Sequence, residues 1–181
     1  MKVTLREILI TLFLALVIFL LVQVTLESCQ VEGACMQPNL YTGQRLLLNK
    51  AGYWFGDPQR GDMIIFHSPQ PPDRNMIKRV IALPGEWVEI RDGQVFITDT
   101  NGDTFLLDEP YIMQEPCERY CNLSVQVPDD CYFVLGDNRN SSSDSRSGWM
   151  LPRANIIGRA WLCYWPLGDW HLIPSYSYAQ D

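Results

Sequence analysis

Three stretches of this chain hold side chains able to do chemistry. The first is Val31–Leu40, VEGACMQPNL, where Cys35 stands between the small residues Gly33 and Ala34 and the larger Met36. Small neighbours leave the sulfur open to an approaching chain. Pro38 fixes its own φ and holds the residue before it extended. Cys35 is a candidate nucleophile, although a free cysteine is more often a small buried hydrophobe.

The second stretch is Met76–Leu83, MIKRVIAL. On a strand, Met76, Lys78 and Val80 share one face, and Ile77, Arg79 and Ile81 the other. Lys78 then sits on an apolar stripe. Burial disfavours an ammonium, and a neutral amine can take a proton from a nucleophile. Arg79 cannot do so, because a guanidinium keeps its proton. The plainer reading of a lone strand lysine is an exposed edge residue that guards against aggregation.

The third stretch is Val134–Met150, VLGDNRNSSSDSRSGWM. Asp144 and Arg146, two apart, can clamp this loop through a salt bridge. A hydroxyl from Ser141, Ser142 or Ser143 can hold a lysine amine in line with its target. Two aspartates and two arginines beside that many hydroxyls compose an ordered polar network more than a linker.

Other elements must bring these stretches together. Ile8–Leu26 is an uncharged apolar run preceded by Lys2 and Arg6. Its length, about 19 residues, is close to what crosses a bilayer and exceeds the apolar core of a cleaved signal peptide. It reads as a retained anchor, with the basic end cytoplasmic and everything after it outside. The chain divides into residues 1–28, the cytoplasmic end and anchor, and residues 29–181, an exoplasmic domain. Short runs rich in Val, Ile, Tyr and Phe, punctuated by twelve Gly and twelve Pro, predict a mainly β, antiparallel meander. Strands are expected at 63–66, 76–83, 87–90, 94–98, 104–107, 132–135 and 156–165, with Asp92-Gly93 as a hairpin turn.

Composition narrows the function. A net charge of −7 with no basic cluster excludes an ordinary nucleic-acid binder. Six cysteines in an oxidising setting permit disulfides, and Cys117 with Cys121 is the pair expected to bridge. A C-x3-C spacing without a matching second pair suits zinc poorly.

Taken together, VEGACMQPNL (31–40), RGDMIIF (60–66), IKRVIALPGEWV (77–88) and VLGDNRNSSSDSR (134–146) resemble the type I signal peptidases, in the same order and spacing. DGQVFI, EPYI at Glu109–Ile112 and IIGRAWLCYWPL extend the likeness over nearly the whole chain, anchor included. The resemblance implies a β-sheet, partly open barrel domain with a serine–lysine dyad. It implies removal of signal peptides from exported preproteins at Ala-x-Ala sites, at the outer face of the plasma membrane, by a monomer with no metal or cofactor. It places the lysine base on Lys78, the supporting hydroxyl on Ser142 and the loop-fixing salt bridge on Asp144 and Arg146. Asp137 and Arg139 fall on positions that shape the site. The departure lies at the nucleophile: the family's Ser of S-M-x-P is Cys35, before Met36. Asn39 replaces the usual Thr, and the family's side-chain oxyanion donor falls on Gly33, which has none. A thiol ionises more readily than a hydroxyl, but it also leaves a tetrahedral intermediate more readily than an amine does, so cleavage needs a proton delivered to the leaving nitrogen. The alternative is a homologue that binds signal peptides without cutting them. A self-cleaving repressor-type peptidase, of similar fold, fits the membrane run badly.

Overall fold

The structure, a computed structural model, describes residues 4–70, 74–113, 116–176 and 178. It opens with a helix, α1 (Leu5–Thr25), capped by a reciprocal box. The Glu7 amide donates to Thr4 Oγ1 and the Thr4 amide donates to the Glu7 carboxylate at 2.8 Å. That box starts the helix three residues before the expected apolar run, because it satisfies amides that would otherwise lack partners. None of its side chains is buried, and its mean hydropathy reaches 2.9. At 1.5 Å per residue it spans roughly 30 Å, a bilayer's apolar thickness.

The chain passes from α1 straight into β1 (Leu26–Gln30). The boundary expected at residue 28 therefore falls inside a strand. Leu26 reads as membrane apolar in the sequence, yet its backbone pairs with Asn49 of β2 (Arg45–Asn49). The following strands are β3 (Met63–His67), β4 (Asn75–Ala82), β5 (Trp87–Arg91), β6 (Gln94–Thr98), β7 (Thr104–Leu106) and β8 (Leu123–Gln126). Then come β9 (Cys131–Leu135), β10 (Leu151–Pro152), β11 (Ile156–Trp165) and β12 (His171–Leu172). The larger sheet runs β1-β2-β11-β3-β4-β9-β10, with β12 on β11, and the smaller runs β7-β6-β5-β8. Among the described residues all pairings are antiparallel, and neither sheet closes into a barrel.

The hairpin turn forms as expected: Arg91 pairs with Gln94, and Asp92 and Gly93 both take positive φ, which suits the right-handed twist of the flanking strands. The expected Cys117–Cys121 bridge is present, in a loop against that turn. Cys29, Cys35, Cys131 and Cys163 are free. Among the described residues three apolar clusters form the core. The one that matters for the site holds Val31, Met36, Leu46, Met63, Ile65 and Ile77, beneath the Cys35 turn.

Candidate active site

The Cys35 turn grows out of the end of β1. Val31 donates its amide to Gln44 O at 2.8 Å and accepts from Gly43 N at 3.0 Å, which fixes the chain as it leaves the sheet. The backbone then coils: Gln37 N donates to Ala34 O, and Asn39 N and Leu40 N both donate to Met36 O. Met36 plunges into the core at 1% exposure. Its burial anchors the turn and leaves its neighbour Cys35 half-buried, facing a groove.

Lys78 approaches from β4, buried to 2% exposure. Its Nζ donates to Cys35 Sγ at 3.0 Å and to the carbonyl of Ile77 at 3.0 Å. The same Ile77 carbonyl accepts a longer contact from Cys35 Sγ at 3.7 Å. That carbonyl is free because β9 pairs with β4 only from Arg79 to Ala82, leaving Asn75–Lys78 with one unpaired edge. The groove beside this edge encloses about 560 Å³, with Cys29, Gly33, Cys35, Ile77, Lys78 and Ser143 among its walls. A second cavity, of about 510 Å³, lies between the Asp92-Gly93 turn and the disulfide loop, and neither Cys35 nor Lys78 lines it.

The loop after β9 packs against both. Asp144 accepts from Arg146 Nε and Nη2, each at 2.8 Å, and from the Gly136 amide at 3.1 Å. Arg146 also donates to Arg139 O. The clamp expected between Asp144 and Arg146 is thus formed, with both side chains buried. Asp137, at 1% exposure, accepts from Arg79 Nε at 2.9 Å and Nη2 at 2.7 Å. Arg139 pairs with Glu109.

Ser142 departs from expectation. Its hydroxyl oxygen is buried and makes no hydrogen bond among the described residues, so it does not hold the Lys78 amine here. The amine's bonds go to Cys35 and Ile77 instead. Ser142 is pressed against the backbone: a Cβ on Gly136 would lie 2.3 Å from its Oγ and 2.6 Å from Cys35 O. Gly33 has φ +84°, and a Cβ there would meet nothing within 4 Å, so this side of the groove is open.

Sequence reasoning saw Arg79 only as an unsuitable base. Buried completely, it needs a counter-charge, and Asp137 supplies one across the sheet. Its guanidinium also lies 4.0 Å from the ring centre of Tyr111 and 5.0 Å from that of Tyr176. Glu109 and the side chain of Asn39 were likewise missed as structural partners. An uninterrupted buried strand containing an arginine was the available signal. Burial and the nearby Glu27 carboxylate push the Cys29 thiol up to about 11, so this thiol in the groove wall stays protonated at neutral pH.

A family model described as signal peptidase, peptidase S26, matches residues 4–165. The chain is 39% identical to a probable signal peptidase I-1 of Synechocystis sp., covering 93% of this chain and 86% of that protein. It is 42% identical to a signal peptidase I of Leptolyngbya laminosa, covering 83% and 75%. A crystal structure of a signal peptidase I from Enterococcus faecalis aligns with 36% identity and a TM-score of 0.47, over 57% of this chain and 97% of that one. The family match takes in the membrane-length helix and every strand through β11, and the chain belongs to the signal peptidase family, peptidase S26.

Proposed function

We propose that this protein is a signal peptidase I that cleaves N-terminal signal peptides from exported preproteins, with Cys35 as nucleophile and Lys78 as general base. The observation that carries this reading is the 3.0 Å contact between Lys78 Nζ and Cys35 Sγ at the wall of an open groove. Nucleophile and base within hydrogen-bond reach, with the base buried, is the arrangement acyl transfer requires.

The substrate lies extended in the groove and pairs with the free edge of β4 at Asn75–Lys78, as an added strand. Lys78 accepts the Cys35 proton as sulfur attacks the scissile carbonyl carbon. The Cys35 amide, unbonded among the described residues, donates to the developing oxyanion in place of the side chain Gly33 lacks. The Lys78 ammonium then gives its proton to the leaving nitrogen, the C–N bond breaks and a thioester remains. Water attacks that thioester while Lys78 takes the water's proton, and Cys35 leaves as the thiol after the proton returns. Asp144 with Arg146 and Asp137 with Arg79 hold the surrounding loop. The buried Met36 sets the depth of the turn.

Helix α1 holds the domain at the bilayer with Lys2 and Arg6 on the cytoplasmic side, so the groove faces outward. Trp54 and the 95% exposed Phe55 form an aromatic rim suited to the interface. The test is cleavage of a preprotein by the full-length protein in detergent under reducing conditions. Cleavage is expected from the wild type and lost in Cys35→Ala and Lys78→Ala. Undiminished cleavage by either alanine variant removes the dyad, and peptide binding without product at any pH supports a binding-only homologue.

A further inference from the structure

We propose that Asn39 is a positioning residue, tying the Cys35 turn to the buried Arg79–Asp137 pair and so setting the distance between thiol and amine. The proposal rests on the reading of Cys35 and Lys78 as the dyad.

The Asn39 side-chain amide nitrogen donates to Tyr111 O at 2.8 Å and to Asp137 Oδ2 at 2.8 Å. Both neighbours are acceptors, which fixes the orientation of the amide. The two hydrogens of one nitrogen are thus both used. Asp137 already accepts from Arg79 Nε and Nη2, so three donors converge on one buried carboxylate.

The partners belong to the three segments that make the site. Asn39 lies four residues after Cys35. Arg79 follows Lys78 in β4. Asp137 begins the polar loop, and the next residue, Asn138, donates its amide to Cys35 O at 2.9 Å. The turn is therefore gripped at both ends by consecutive residues, its beginning by Asn138 and its end by Asp137. Arg79 couples the same carboxylate to the strand that carries the base. A shift at Asn39 moves the sulfur relative to the nitrogen, and small misplacements of reacting groups are costly in rate.

The residue type is demanded by this geometry. A threonine has one hydroxyl hydrogen and serves one acceptor. An aspartate sets a second carboxylate against Asp137, and like charges at such a distance cannot both be comfortably ionised. An alanine leaves the Tyr111 carbonyl and Asp137 each short of a donor.

The experiment compares full-length wild type with Asn39→Ala, Asn39→Thr and Asn39→Asp in detergent. It measures kcat and KM on a preprotein, the rate of iodoacetamide alkylation at Cys35 near neutral pH, and thermal unfolding. Asn39→Ala is expected to lower kcat about tenfold with KM nearly unchanged, and to change the Cys35 alkylation rate severalfold. Asn39→Thr should recover part of both, and Asn39→Asp should be worse than alanine. Wild-type kcat and alkylation in Asn39→Ala overturn the proposal. So does a loss of activity that tracks unfolding alone, with unaltered alkylation and no recovery in Asn39→Thr. If the wild type cleaves nothing but its alkylation still shifts in Asn39→Ala and returns in Asn39→Thr, the positioning role stands and the peptidase reading falls.

Discussion

Lys78 Nζ stands 3.0 Å from Cys35 Sγ although 43 positions separate them in the chain. Neither residue reaches the other by its own segment's preference. Met36 pulls the Cys35 turn into the core, and β4 carries Lys78 to it along a strand that β9 leaves half unpaired. This contact is a product of two packing decisions, and the predictions below disturb those decisions separately.

Gly136 marks where the polar loop and the Cys35 turn close on each other. A Cβ there would lie 2.3 Å from Ser142 Oγ and 2.6 Å from Cys35 O, and the second atom is backbone. Gly136→Ala should therefore reduce cleavage about a hundredfold or more, by pushing the turn off its seat. Ser142→Ala should cost far less than Lys78→Ala, because the Ser142 hydroxyl has no hydrogen bond to lose among the described residues. Initial rates on one preprotein check both. Wild-type rates in Gly136→Ala, or a Ser142→Ala loss equal to that of Lys78→Ala, would contradict this packing.

The Arg79–Asp137 pair is almost wholly buried, at 0% and 1% side-chain exposure. Removing one partner of such a pair strands the other charge away from water. Asp137→Ala should lower stability by about 3–5 kcal/mol, readable as a shifted denaturant midpoint in detergent. Arg91 with Glu89 is the matched control, a pair at the surface. Glu89→Ala should leave the midpoint nearly unchanged. Equal midpoints for the two variants would mean that Arg79 finds other partners.

Alkaline pH should open the fold. Burial, with Asp62 beside Tyr53 and Glu109 beside Tyr111, raises both phenols far above the ordinary tyrosine value. A raised folded-state value means that the native state holds protons the unfolded chain releases. That stability is complete below about pH 10, the unfolded value, and is lost as pH climbs above it. The buried phenols should then ionise only as circular dichroism reports unfolding, above pH 10. Tyr53→Phe with Tyr111→Phe should flatten the decline in stability. A smooth phenolate titration of every tyrosine near pH 10, with the fold intact, would contradict the buried assignment.

The sequence displayed the parts of this site more readily than their contacts. β11 was readable from end to end because Ile156, Ile157, Trp161, Tyr164 and Trp165 distribute β-branched and aromatic side chains along its ten residues. The Asp92-Gly93 hairpin was readable from its turn chemistry alone. β8 was not, since Leu123–Gln126 is four residues wedged between a disulfide loop and a Pro-Asp turn. β1 was hidden because Leu26 continues the apolar membrane run without a break in composition. At the site, Cys35, Lys78 and the Asp144–Arg146 clamp could be named from motif and charge spacing. The second partner of Lys78, beside Cys35, could not. Whether the amine meets a hydroxyl or the Ile77 carbonyl depends on where β9 stops pairing, and that register is set by tertiary packing. Asn39 carried no local signal either, because its acceptors lie 72 and 98 positions away.

The most direct test of a thiol nucleophile served by Lys78 is to trap the acyl-enzyme. Full-length protein is mixed with a preprotein, quenched in acid within the first turnover and digested for mass mapping. The expected result is the signal peptide joined as a thioester to the fragment containing Cys35, released by hydroxylamine and missing from Lys78→Ala. Cleaved preprotein with Cys35 unmodified at every quench time, and equal turnover by Cys35→Ala, would contradict it.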